Sequence, residues 1–182
     1  MKIIVAITGA SGAIYARQCL ENLIVHPAVE RVALILSDNA EDVLRAEGVT
    51  LPAAECVERF SNSDMWASVA SGSARWDAMI IIPASMGTVG RIASGISRTL
   101  IERAADVMLK ERRRLVVVVR ESPYSLIHLR NMTTLTEAGA IILPASPSFY
   151  FNPSTVEELC LTTSLRALEM AGVEVGHRHW GE

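Results

Sequence analysis

The fold of this chain is decided by residues 3–13, which read IIVAITGASGA. The run from Ile3 to Ile7 is apolar without alternation, which is typical of a strand buried on both faces of a parallel sheet. The small residues that follow break this strand and lead into a helix-like segment at 12–25. Because α/β folds bind phosphates at the carboxyl ends of such strands, this turn is also the first candidate binding loop.

Four more segments share this continuous apolar character and are predicted strands, at 31–37, 77–83, 115–120 and 140–144. Helix-like segments are predicted at 39–47, 88–112 (with a break at Gly95), 124–137 and 154–171. Alternating strands and helices predict a doubly wound, mostly parallel sheet flanked by helices, a Rossmann-like α/β fold. We expect one domain over residues 1–182, with 173–182 as a C-terminal tail.

Composition excludes several classes of partner. The 182 residues carry a formal net charge of −3, so we expect neither nucleic acid nor an anionic membrane as a partner. Every apolar run is far shorter than the ~18 residues of a membrane span, and the apolar start is a strand rather than a signal peptide. Three scattered cysteines without metal-ligand spacing indicate reduced thiols, so we expect a cytoplasmic protein with no metal site.

The first loop does not match the dinucleotide fingerprint G-x-G-x-x-G, because Ser11 and Ile14 occupy its second and third glycine positions. A second loop of similar composition, PASMGT at 83–88, follows another buried strand and opens another helix. Two helix N-termini and several hydroxyls directed at one crevice favour a single compact phosphate, as in FMN. A nicotinamide nucleotide, with Asp38 on its ribose, and a turn without ligand stay open as weaker alternatives.

Charged residues near apolar segments indicate a further anion. Arg103 and Lys110 lie on nearly the same line of a predicted helix, bordering its apolar stripe, where they either meet an anion or form a solvated edge with Asp106. Arg120 and Glu121 end a strand that should be wholly buried. With Arg166 on the last helix, these groups suit a site that holds more than one phosphate.

Five more motifs accompany the two loops: ASGS at 70–73, LIERAADV at 100–107, LKERR at 109–113, RESP at 120–123 and FY at 149–150. The ordered set, spanning Ile3 to about Gly172, resembles the UbiX family of flavin prenyltransferases, among the flavin-binding decarboxylase-like flavoproteins. The resemblance implies metal-independent transfer of a dimethylallyl group from dimethylallyl monophosphate to N5 and C6 of reduced FMN. It further implies a homododecamer whose product, prenylated FMN, serves a client UbiD-type decarboxylase, as in ubiquinone biosynthesis.

The resemblance also assigns site residues by position. The predicted FMN-binding residues are Gly9, Ala10, Ser11, Ser37, Ser85, Met86, Gly87, Thr88 and Arg120. The predicted donor-phosphate residues are Arg103 and Lys110, with Tyr150 and Arg166 reaching in from a neighbouring subunit. The predicted catalytic residues are Ser11, Glu47, Ser71, Arg103, Lys110 and Glu121. We expect the Ser11 hydroxyl to face the flavin and Glu121 to handle the proton around N5.

Two other functions stay open, an FMN-dependent decarboxylase and a non-catalytic FMN-binding carrier. The carrier gives the cationic residues and Glu121 no task. The roles of Trp66, as pocket wall or core, and of Trp180, as a cover for the site, also stay open.

Overall fold

The computed structural model describes residues 1–176 and contains a six-stranded, all-parallel sheet. Its strands are β1 Lys2–Ile7, β2 Arg31–Leu36, β3 Val57–Phe60, β4 Ala78–Ala84, β5 Arg114–Val119 and β6 Ile141–Pro144. The strand order is β3-β2-β1-β4-β5-β6. The helices are α1 Ala13–Val25, α2 Ala40–Ala46, α3 Met86–Ala93, α4 Leu100–Lys110, α5 Leu126–Glu137 and α6 Val156–Met170.

Apolar side chains cover both faces of the sheet, which explains the unbroken apolar runs of the strands. Ile3, Val5 and Ile7 pack with α1 and α6 on one face. Ile4 and Ala6 belong to the core of the opposite face, which α3 and α4 cover. Successive residues of a strand point to opposite faces, so a strand between two helix layers needs an apolar residue at every position.

The predicted doubly wound α/β fold is confirmed, with two differences in detail. The strand β3 was not predicted, because its sequence VERF carries two charged residues. It lies at the edge of the sheet, pairs with β2 alone and is partly exposed, so it does not need a continuous apolar sequence. The segment predicted as one interrupted helix is two helices, α3 and α4, separated by residues 94–99. Gly95, with φ of +69°, lies in this break, and the Thr99 side chain caps the start of α4.

The topology places a crevice between β1 and β4. From β1 the chain continues outward to β2 and β3, and then returns to the other side of β1 as β4. The loops after these two adjacent strands therefore lead to helices on opposite faces, and ligands of doubly wound sheets bind at such a switch point. The two predicted binding loops are those that meet there.

The end of the chain is only partly described. Val173 is buried in the core and the Glu174 carbonyl lies 2.7 Å from Nε2 of His26, so packing continues past the start of the predicted tail. Trp180 lies outside the described residues. Over residues 1–176, no helix combines the length and apolar character needed to cross a bilayer, and His, Cys, Asp and Glu form no cluster of three or more suited to a metal ion.

Candidate active site

Thr8 joins the two candidate loops. Its buried hydroxyl donates to the Pro83 carbonyl at 2.8 Å and accepts from the Ser85 backbone N–H at 2.7 Å. The Thr8 backbone N–H also donates to the Pro83 carbonyl, at 3.2 Å. The end of β1 and the end of β4 are thus held at a fixed separation by one side chain that bonds both.

A cavity of about 430 Å³ opens where these loops meet. Its wall includes five residues predicted to bind a cofactor: Gly9, Ser37, Ser85, Gly87 and Thr88. It also includes six residues outside the predicted site set: Asp38, Asn39, Asn62, Arg91, Thr99 and Ile101. Most of these wall residues offer hydroxyl, amide, charged or bare backbone groups, which suit the sugar-like chain and phosphate of a nucleotide.

Gly9 is required by the close approach of α2. A Cβ atom at this position would lie 2.8 Å from Cβ of Asn39, nearer than real Cβ contacts allow. The missing side chain therefore lets the loop pack against Asn39 while its backbone faces the cavity. This is how small residues leave room for a ligand to approach main-chain atoms.

The amino terminus of α3 faces the same cavity. Ser85 caps the helix, with its hydroxyl 3.5 Å from the Thr88 N–H and 3.1 Å from the Thr88 hydroxyl. The first intrahelical bond is made by the Val89 N–H to the Ser85 carbonyl, so the N–H groups of Met86 and Gly87 precede the helical bonding pattern. The Met86 side chain is buried in the core, and only its backbone can contribute to a site.

The amino terminus of α1 is already occupied by a carboxylate. Glu47, which follows α2, accepts from the Gly12 N–H at 2.9 Å and from the Ala13 N–H at 2.7 Å. The sequence suggested that both helix N-termini serve one phosphate, but Glu47 takes the position at α1, which leaves α3 for the ligand. No local sequence pattern could show this, because the carboxylate arrives from 35 residues further along the chain.

Glu47 is held in its charged form. Burial alone would raise the pKa of Glu47, but hydrogen bonds from the Gly12 and Ala13 backbone and the Ser11 side chain, with the nearby Arg120 charge, together lower it. The Ser11 side chain thus lies close enough to Glu47 to help lower its pKa. Ser11, Glu47 and Arg120, predicted separately, are brought together at this end of the sheet.

Arg120 and Glu121 follow the buried strand β5 as expected. Burial raises the pKa of Tyr15 to about 12, aided by Cys160, while the positive charge of Arg120 acts in the opposite direction. The Glu121 carboxylate accepts from the Ser122 N–H at 3.0 Å. Tyr15 is buried at the start of α1, close enough to Arg120 for that charge to act on it.

Ser71, Arg103 and Lys110 form a second group, on α4 and the segment that packs on it. The Arg103 guanidinium donates to the Ala70 carbonyl at 3.1 Å and pairs with Asp106 at 2.7 Å, the pairing foreseen by the solvated-edge alternative. Ser71 bonds the Ser73 hydroxyl at 2.9 Å, and Lys110 pairs with Glu111 at 2.6 Å.

Lys110 lies far from the cavity within one chain. It is separated by a short turn from the start of β5, whereas Arg120 follows the end of that strand. A parallel strand of this length spans roughly 20 Å. Lys110 therefore lies at the amino edge of the sheet and the cavity at the carboxyl edge, so one copy of the chain does not bring the two together.

Tyr150 and Arg166 form a third group beside β6. Tyr150 is 71% exposed in the loop before α6, and Arg166 donates to Glu169 at 3.0 Å. A largely apolar cavity of about 410 Å³ lies between β6 and α6 and includes Arg166 in its wall. Trp66 is 98% exposed, so within one chain it is neither core nor the wall of the first cavity.

The first cavity fits FMN in size and chemistry. Its volume lies in the range of small-molecule sites. The cradle at Gly9, which a Cβ would fill, admits close backbone contact, and the amino terminus of α3 suits a phosphate. Ala10, by contrast, has a buried side chain, so only its backbone groups could contact a ligand.

Comparison with known proteins identifies the family. Residues 1–169 match the family described as Flavoprotein. Flavin prenyltransferase UbiX of Thermoplasma acidophilum is 44% identical over 176 residues, which cover 95% of this chain and 96% of that protein.

Two solved structures are similar over nearly their whole length. A dodecameric FMN-dependent Ubix-like decarboxylase from Escherichia coli has a TM-score of 0.91 and 38% identity, covering 100% of both chains. AnUbiX in complex with FMN and dimethylallyl pyrophosphate has a TM-score of 0.86 and 41% identity, covering 98% of both chains. With its two loops, its cavity and these full-length matches, the chain belongs to the flavoprotein family, in its branch of UbiX-type flavin prenyltransferases.

Proposed function

We propose that this protein transfers the dimethylallyl group of dimethylallyl monophosphate to N5 and C6 of reduced FMN, which releases phosphate and yields prenylated FMN. The observation that carries the proposal is the cavity between the two loops, whose wall combines the free amino terminus of α3 with hydroxyl and amide groups. The full-length similarity to flavin prenyltransferases points to the same substrates.

The acceptor is held at the carboxyl edge of the sheet. Backbone groups at Gly9 and Gly87 and the hydroxyls of Ser37, Ser85 and Thr88 would bind FMN. Arg120, at the end of β5, would contact it from the other side of the β4 loop. Because Thr8 fixes the separation of the loops, the acceptor meets a preformed site and loses little entropy on ordering the protein.

The donor phosphate requires cations, and we assign this task to Arg103, Lys110, Tyr150 and Arg166. Negative charge grows on the phosphate as its bond to the allylic carbon breaks, and fixed cations stabilise that charge. Since Lys110 and the cavity lie at opposite edges of the sheet, the complete site is built from more than one copy of the chain. The dodecameric state of the Escherichia coli relative supports a homo-oligomer here, and we expect a dodecamer.

The proton balance of the reaction suggests roles for the two carboxylates, Glu121 and Glu47. Bonds form at N5 and C6 and the allylic C–O bond breaks, so the flavin loses two protons, of which the alkene takes one and phosphate the other. We assign the proton at N5 to Glu121, which follows the end of β5. Glu47, kept charged by its backbone hydrogen bonds and close to Ser11, would aid this proton handling. Ser71, on the segment against Arg103, would assist at the donor.

We further propose a cytoplasmic location and a UbiD-type decarboxylase as the client that receives prenylated FMN. The three free cysteines support the reducing compartment, since two of them are buried and no disulfide is present in the described chain.

Anaerobic incubation of the purified protein with reduced FMN and dimethylallyl monophosphate tests the proposal. Mass spectrometry should show flavin that has gained one five-carbon unit, with or without EDTA, and parallel incubation with the pyrophosphate identifies the preferred donor. The Glu121→Gln variant should bind flavin like the wild type but form product far more slowly, because Glu121 acts on a proton rather than on binding.

Flavin of unchanged mass with both donors would contradict the proposal. It would favour the decarboxylase alternative, the description given to the Escherichia coli relative, if carbon dioxide is released from a carboxylic acid supplied with FMN. Without that release the carrier alternative remains.

A further inference from the structure

One basic side chain of the cavity has no task in the site assigned above. Arg91, on the second turn of α3, is the only cation among the described residues that line the cavity, and Asp38 is the only carboxylate. It does not belong to the motifs quoted for the family resemblance. Its position four residues after Gly87 places it on the same side of α3 as the first turn.

The Arg91 guanidinium is held on one edge and open on the other. Its Nε forms a close ion pair with Glu102, and one terminal amino group lies 3.3 Å from the Thr88 hydroxyl. The other terminal amino group, NH1, lies 3.3 Å from the point where a Cβ of residue 87 would be, and it makes no hydrogen bond within the described chain. The open amino group thus lies beside the free N–H groups at the start of α3.

Glu102 is fixed firmly enough to position Arg91. Its side chain is 1% exposed, and its second oxygen accepts from the N–H groups of Arg98 at 2.8 Å and Thr99 at 3.0 Å. Because the Glu102 carboxylate accepts three hydrogen bonds, its position is fixed, and it holds the Arg91 side chain in place. The guanidinium is therefore aligned before any ligand arrives, as planar recognition of a phosphate requires.

We infer that Arg91 binds the 5′-phosphate of FMN together with the amino terminus of α3, and that Glu102 is the positioning residue that holds it there. Arg91 is then the residue by which the protein distinguishes FMN from riboflavin, which has the same ring system and no phosphate. This inference rests on the proposed function, in that FMN occupies the cavity.

The test measures dissociation constants for FMN and for riboflavin by flavin fluorescence on purified, oligomeric protein. We expect Arg91→Ala to weaken FMN binding on the order of 10- to 100-fold, the size of a lost charge-assisted hydrogen bond, while riboflavin binding changes little. Arg91→Lys should retain part of the preference as a point charge without the planar fork. Arg45→Ala is the matched control, because it removes the same charge from an exposed ion pair with Asp42.

A double-mutant cycle tests the positioning role. Glu102→Gln should reduce the preference for FMN over riboflavin in the wild-type background and leave it unchanged in the Arg91→Ala background, since the first residue acts through the second. A structural role alone would weaken both flavins equally in both backgrounds.

An Arg91→Ala variant that keeps the wild-type preference, or that loses both flavins in equal proportion, would overturn the inference. Different outcomes would refute the proposed function. Wild-type protein that prefers FMN through Arg91 but leaves its mass unchanged with both donors would refute prenyl transfer alone, and wild-type protein that binds neither flavin would refute both.

Discussion

At the scale of the residue, the Glu47 carboxylate already binds the amino terminus of α1, next to the loop after β1. The sequence identified two loops and a compact phosphate from small residues and hydroxyls alone. It assigned both helix N-termini to that phosphate, whereas Glu47 neutralises the one at α1. The partial positive charge of a helix N-terminus attracts any anion, so a carboxylate of the protein can take the place that a ligand would otherwise have.

Thr8→Val tests the link between the loops. Valine keeps the shape but leaves the part-buried Ser85 N–H without its acceptor, so we expect a loss of about 1–3 kcal/mol in the free energy of unfolding. FMN affinity should fall as well, because the loops lose their common anchor. Urea denaturation and flavin titration measure the two effects.

The control for this substitution is Thr8→Ser, which retains both hydrogen bonds and removes one methyl group, at a cost of about 1 kcal/mol. If the valine variant were as stable as the serine variant and bound FMN equally well, the hydroxyl would have no part in joining the loops.

At the scale of the element, α4 begins with a capping box that is also the support for Arg91. The Thr99 side chain bonds the Glu102 N–H and the Glu102 side chain bonds the Thr99 N–H. The sequence pattern T-x-x-E announces this cap. What the pattern could not show is that the same carboxylate is buried and receives a cation from the neighbouring helix.

The pH dependence of stability follows from Glu102. Burial alone would raise the pKa of Glu102, but Arg91 and the Arg98 and Thr99 backbone outweigh it and lower the pKa. A carboxyl with a lowered folded-state pKa stabilises the protein above its unfolded pKa of about 4.3. That stabilisation is lost as pH falls through the folded-state value.

We therefore expect Glu102→Gln to destabilise the protein on the order of 1–3 kcal/mol at pH 7, with a difference from wild type that shrinks as pH falls below about 4. Urea denaturation across this pH range measures it. Glu58→Gln, at an exposed pair with Arg31, should have a much smaller effect. A difference that stayed constant down to acid pH would show that the charge of Glu102 does not contribute.

At the scale of the whole molecule, the sequence was sufficient for the fold and for part of the site. Continuous apolar strands predict a sheet covered on both faces, and the ends of its strands then identify the binding edge. The exposed edge strand β3 was not predicted, because its two charged residues interrupt the apolar pattern of a strand. Arg91 was not predicted as a site residue, because its proposed role depends on the buried carboxylate of Glu102 on another helix.

Mixed oligomers test whether a complete site uses several copies. Lys110→Ala and Arg120→Ala should each abolish most activity, since one removes a donor cation and the other a flavin contact. If the two residues of one site come from different chains, co-assembly of the two variants restores about a quarter of the sites in a symmetric oligomer.

Product formation after co-refolding an equal mixture, compared with each variant alone, measures this recovery. A mixture no more active than its components would place both residues of each site on one chain.

The separation of Lys110 from Arg120 by the full length of β5 has a consequence for behaviour on dilution. A dissociated copy retains the cavity and every group proposed to hold the flavin, but its own Lys110 lies at the opposite edge of the sheet, away from a departing phosphate. Flavin occupancy would then persist at protein concentrations at which specific activity has already declined. We therefore expect assembly to convert a flavin-binding polypeptide into a catalyst.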